Sequence, residues 1–165
     1  MTSEKEQSSI APVALLAVDV PPRQQVTFYP QPFAARVAGR EKRILGDRFG
    51  LKNFGVNLTR LSPGAASSIR HAHSKQDEFV YVVQGNPVLV TNAGETVLMP
   101  GMCAGFRGGS DDAHHLVNRT AVDVFYLEVG DRTAGDAVVY PDDDLHLVRG
   151  ADGKVAYLRK DGTAY

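Results

Sequence analysis

The chain is divided into short apolar segments by closely spaced turn sequences, and this punctuation restricts it to folds made of many brief strands. Sixteen glycines and nine prolines separate stretches rich in Val, Leu, Phe and Tyr. Segments of that length and residue type, bounded by Gly, Pro, Asn and Ser, form strands joined by tight turns. The clearest run over 55–61, 78–84, 87–91, 96–99, 114–118 and 122–129. Between them lie Ser62-Pro63-Gly64, Gln84-Gly85-Asn86, Asn92-Ala93-Gly94, Pro100-Gly101 and Gly108-Gly109-Ser110, residues that accept turn backbone angles. The spacing predicts an all-β sandwich or barrel. Helical periodicity is poor throughout, with Ala34 to Leu45 the best of a weak set.

A length of 165 residues, 43% of them hydrophobic, suits one domain with one core. Residues 1–20 read as a flexible N-terminal segment, because the first nine positions hold no large apolar group. Residues 21–165 read as the single domain, with a motif-bearing barrel core over 55–130 and a C-terminal extension over 131–165. Pro21, Pro22, Pro30 and Pro32 fit edge strands or an extended arm, since proline cannot donate to a ladder. In the extension, Pro141-Asp142-Asp143-Asp144 reads as a solvated turn before an edge strand at Leu145 to Val148.

The formal charge of −1, from 18 basic and 19 acidic residues, provides no field to gather nucleic acid or an anionic membrane surface. No run approaches the roughly 20 apolar residues of a membrane span, and the polar, slightly acidic start lacks the pattern of a secretory signal. Cys103 is alone, so no internal disulfide forms and a cytoplasmic location is expected.

Four of the five histidines fall in two tight groups, His71-Ala72-His73 and His114-His115. Residues i and i+2 of a strand share a face, so His71 and His73 can present two imidazoles to one point. Glu78 opens the next strand and adds a carboxylate; Asp77 beside it is the alternative, because a shift of one residue exchanges which of the two faces inward. His114 on a later strand completes three imidazoles and one carboxylate, a set that suits one divalent transition metal among Fe, Mn, Ni, Cu and Zn. His115 points away from the face of His114, and His146 has no nearby partner in sequence. If Glu78 faces inward, Val80 and Val82 line the cavity, while Phe79, Tyr81 and Val83 face outward. Arg60, Arg107 and Arg132 are candidates for binding a substrate carboxylate or phosphate, although the commoner role of such residues is solvated charge.

The order Gly64, His71-Ala72-His73, Glu78, Gly85 resembles the first motif of the cupin superfamily, and Gly101, Gly109, His114, Asn118 resembles the second. Six residues rather than five follow Gly64, Arg107 stands where the second motif has proline, and four residues rather than two separate Gly109 from His114. The resemblance implies a jelly-roll barrel, or double-stranded β-helix, with an N-terminal arm that extends onto the partner of a homodimer. It also implies metal ligation by His71, His73, Glu78 and His114. The expected function is that of a metal-dependent enzyme on a small molecule, of dioxygenase or sugar-phosphate isomerase type. The alternative is a non-enzymatic small-ligand-binding or sensor cupin. No nucleophile with an adjacent base stands out, which disfavours covalent catalysis.

Overall fold

The structure, a computed structural model, describes residues 11–149 and 155–165. Residues 1–10 of the segment expected to be flexible lie outside the described residues. Twelve strands run in chain order: β1 Arg40–Ile44, β2 Phe54–Leu61, β3 Ala72–His73, β4 Glu78–Gln84, β5 Val88–Thr91, β6 Gly94–Val97, β7 Cys103–Phe106, β8 His115–Val117, β9 Val124–Asp131, β10 Val138–Tyr140, β11 Leu145–Arg149 and β12 Val155–Leu158. Two one-turn helices, α1 Phe33–Arg36 and α2 Leu45–Arg48, flank β1. The Ala34 to Leu45 stretch is therefore not one helix: it holds the end of α1, a turn, the strand β1 and the first residue of α2. None of the described helices is long and apolar enough to cross a membrane.

Every named strand pairing is antiparallel. One sheet has the order β1-β2-β9-β4-β7, a second β12-β11-β10-β3 and a third β6-β5-β8. The second and third meet where His71, just before β3, bridges His114, just before β8. Together they form the wall opposite the five-stranded sheet. Leu61, Val80, Val82, Val124 and Tyr126 on the inner face of that sheet pack against Leu89 and Leu116 of the opposite wall. Full burial of such side chains stabilises the fold by about 1.5–3 kcal/mol each. A second cluster, with Phe33, Val37, Ile69, Val138, Tyr140 and Leu145, packs around β10 and the start of β11. The all-β jelly-roll architecture expected from the sequence is thus the one observed.

Val80 and Val82 are buried while Phe79, Tyr81 and Val83 are 40–47% exposed, the alternation read from the sequence. Part of the outer face is covered by the chain itself: Leu15, Ala17 and Val20 pack with Leu45 against Leu58, Phe125 and Leu127. The turn after β4 requires glycine. Gly85 has φ +81°, and a Cβ there would meet Val124 Cγ2 at 2.8 Å and Asp123 O at 2.9 Å.

Candidate metal centre

The strand ends bring His71, His73, Glu78 and His114 together at one end of the barrel interior. His71 N donates to His114 O at 3.1 Å and His114 N to His71 O at 2.8 Å, and paired residues of an antiparallel ladder place their side chains on one face. Their ring centroids are 5.0 Å apart. His73 lies two residues beyond His71, with centroids again 5.0 Å apart. Glu78 starts β4 and reaches across from the opposite sheet; its Oε2 lies 2.9 Å from His114 Nε2, 3.4 Å from His71 Nε2 and 3.7 Å from His73 Nε2. His71, His73 and Glu78 each offer a ligand atom within 4.8 Å of the others, a grouping that can hold a metal ion. His114 approaches this group through Glu78. Of the two neighbouring carboxylates, Glu78 faces inward. Asp77 instead accepts a hydrogen bond from Gly108 N at 2.7 Å, on the exposed side.

The far nitrogens of two rings determine their tautomers. His71 Nδ1 lies 2.9 Å from the carbonyl of Ile69, which can only accept, so this nitrogen carries the proton. His73 Nδ1 lies 2.6 Å from Asp136 Oδ2. Burial pushes the Asp136 carboxyl up, but the hydrogen bonds from His73 and from the backbone N–H groups of Lys75 and Gln76 outweigh it and hold the carboxyl below its usual value. In both rings Nε2 is therefore the nitrogen that faces the Glu78 carboxylate. Imidazoles oriented by a carbonyl or carboxylate behind them are the usual arrangement of metal-binding histidines, with the opposite nitrogen offered to the cation. Burial likewise pushes Glu78 up, but hydrogen bonds with His114 and His71 and the charge of His71 and His73 hold it well below the carboxylate range. His114 is positioned differently: Phe106 stacks flat on it, centroids 3.4 Å apart, and its buried Nδ1 has no partner among the described residues.

The cluster opens into a cavity of about 200 Å³ whose lining includes Tyr29, Arg40, Lys42, Tyr126, Glu128 and Tyr140. Arg40 and Lys42 lie two residues apart on β1 opposite Leu61 and Thr59, so both belong to the inner face. Lys42 Nζ contacts Glu128 Oε1 at 2.6 Å, and Asn57 Nδ2 donates to the same oxygen at 3.1 Å. Burial raises the Glu128 carboxyl, yet the charge of Lys42 holds it below its usual value. Sequence reasoning missed these residues. Their one signal was the i, i+2 spacing of two cations in a segment that reads as weakly helical.

Two of the arginines singled out in the sequence lie away from the cluster, and none of the three lines the cavity. Arg60 is paired with Glu41 and Asp123, and Arg132 with Asp47. Exposed Arg107 borders a small recess that touches His73, Glu78 and His114 from another side. His115 turns away, its Nδ1 bonded to Ser68 O at 3.0 Å. His146 borders a separate, largely apolar hollow formed with Val139, Leu145 and Leu158.

A jelly-roll barrel with two histidines and a glutamate converging inside defines the class of protein. A family profile described as Cupin domain matches residues 57–130, and the chain belongs to the cupin superfamily. A sugar phosphate isomerase from a cupin superfamily of Silicibacter pomeroyi DSS-3 is 43% identical, with a TM-score of 0.86 over 92% of this chain and 96% of its own. An Acidithiobacillus ferrooxidans ATCC 23270 protein given the same activity provisionally is 28% identical, with a TM-score of 0.69 over 76% of this chain and 80% of its own. The polyketide cyclase RemF of Streptomyces resistomycificus, 19% identical with a TM-score of 0.59 over 72% of this chain and 78% of its own, shares the fold. Among curated proteins, none matches this chain.

Proposed function

We propose that this cupin is a metal-dependent enzyme of the sugar-phosphate isomerase type, with His71, His73, Glu78 and His114 holding one divalent transition metal. The observation that carries the reading is the orientation of His71 and His73: Ile69 O and Asp136 hold their Nδ1 atoms from behind, which turns both Nε2 atoms towards Glu78. A metal bound there supplies Lewis acidity at a substrate oxygen. The 43% identity with the Silicibacter pomeroyi sugar phosphate isomerase supports isomerisation over dioxygenase chemistry.

An aldose–ketose isomerisation takes a proton from the carbon beside a carbonyl and returns it to the neighbouring carbon. It needs a carboxylate that is ionised at working pH and close to the substrate. Glu128 meets both needs, because it lines the cavity and Lys42 keeps it ionised. Tyr126 OH, 3.4 Å from Glu128 Oε2, steadies the second oxygen. Nuclear magnetic resonance of the metal-loaded protein in deuterated water, with a panel of phosphorylated aldoses and ketoses, tests this. Interconversion with deuterium incorporation, lost in Glu128→Gln, is expected. Ligand binding without turnover across the panel would instead assign a sensor or storage role.

The same reading extends to assembly and location. Phe79, Tyr81 and Val83 leave an apolar strip exposed on β4. A homodimer that covers it removes that surface from water. The unpaired, exposed Cys103 accords with the reducing cytoplasm.

A further inference from the structure

Arg40 is 5% exposed and lines the cavity shared by His71, His73 and Glu78. Its guanidinium is held by two carbonyls, Ser67 O and, at 2.8 Å, Val26 O. No carboxylate pairs with it among the described residues, and its buried Nε finds no acceptor there. A buried guanidinium without an anion is unusual, because such charges are normally paired. The other charges of the wall do not supply one. Lys42 and Glu128 match each other at 2.6 Å, and the hydrogen bonds of Glu78 are directed to the histidines. A divalent ion at the histidines would be only half matched by Glu78, so the loaded cavity has an excess of positive charge that a small anion neutralises. Arg40 is also tied to the metal cluster through one short segment, since Ser67 O holds Arg40 and the next residue's hydroxyl, Ser68 Oγ, lies 3.2 Å from His71 Nδ1.

We propose that Arg40 is the anion receptor of the cavity, binding a phosphate or carboxylate group of the substrate. The guanidinium presents planar N–H donors that match either oxyanion. A volume of about 200 Å³ limits the occupant to a small molecule, below the size of drug-like ligands. This inference rests on the metal-centre reading for the position of the reacting end, while the receptor itself is a property of Arg40.

Isothermal titration calorimetry tests it on the full chain loaded with manganese(II), using inorganic phosphate, malonate and neutral glycerol as probes. Wild-type protein binds phosphate or malonate in preference to glycerol, and which of the two is tighter identifies the anionic group. Arg40→Met weakens the preferred anion by about tenfold or more, the loss expected for a charged hydrogen-bond donor, with Arg40→Lys intermediate and Arg132→Met unchanged. Equal anion affinity in wild type and Arg40→Met, or no anion preference in wild type, overturns the proposal. Should Arg40→Met fail to fold, Arg40→Lys decides by the same comparison, since a lysine retains the charge and loses the fork. Repeating the titrations without metal separates the two readings. Anion binding that depends on Arg40 in a protein that takes up no metal sinks the metal centre alone, and metal uptake without Arg40 dependence sinks the receptor alone.

Discussion

His71 and His114 donate to each other's carbonyls, at 3.1 and 2.8 Å, so the backbone that joins the two smaller sheets is the backbone that presents two of the imidazoles. Main-chain bonds form this link. His114→Ala therefore keeps the barrel, with an unchanged far-ultraviolet circular dichroism spectrum, and weakens metal binding in a chelator competition assay.

Asp136 orients His73 from behind and also accepts hydrogen bonds from Ser74 Oγ, Lys75 N and Gln76 N. Asp136→Asn removes the charge that fixes the His73 tautomer while keeping the shape of the side chain. Metal affinity should fall by about 10–100-fold, the usual effect of losing such a partner, measured by the same competition.

Asn118 is fully buried and closes the turn before β9, its Nδ2 donating to Leu61 O and Val122 O and its Oδ1 accepting from Thr120 N and Oγ1. Asn118→Ala strands several of these groups away from water. Urea denaturation should show a loss of about 2–3 kcal/mol with no change in metal stoichiometry.

Burial and the neighbouring Tyr29 push the Tyr157 phenol up to about 12, and raise Tyr140 as well. The folded state thus holds these protons more tightly than the unfolded chain, whose phenols titrate near pH 10. That contribution is complete below about pH 10 and is lost as pH rises towards 12. Stability followed by denaturant titration should decline across this window, and Tyr140→Phe should flatten the decline.

Exposed Phe79, Tyr81 and Val83 on β4 predict self-association through that face. Tyr81→Lys places a charge at its centre. Sedimentation velocity should show wild-type dimer and variant monomer; a wild-type monomer would remove the dimer from the account.

The sequence was most legible where strands alternate or run apolar. The ranges 55–61 and 78–84 are close to β2 and β4, and the inward turn of Glu78, Val80 and Val82 follows from the same alternation. The strand expected over 96–99 lies two residues earlier, at Gly94–Val97, since the ladder closes over Asn92-Ala93 and pairs Thr91 with Gly94. The strand β7, Cys-Ala-Gly-Phe, has only one large apolar residue and so no alternation to signal a strand, and its pairing with β4 defines it. The largest loss was β1. Its inner positions are Arg40 and Lys42 rather than apolar residues, because that part of the barrel wall faces the cavity and not the core. The histidine cluster was visible because metal ligands have characteristic spacing; cavity charges on separate strands, such as Lys42 and Glu128, have none.

The central claim is that His71, His73, Glu78 and His114 hold one metal ion. Inductively coupled plasma mass spectrometry of protein purified without a histidine tag or added metal tests it, beside a His71→Ala/His73→Ala control. The account predicts about one transition metal ion per chain, absent from the control. No metal in the wild type, or the same content in both proteins, would contradict it.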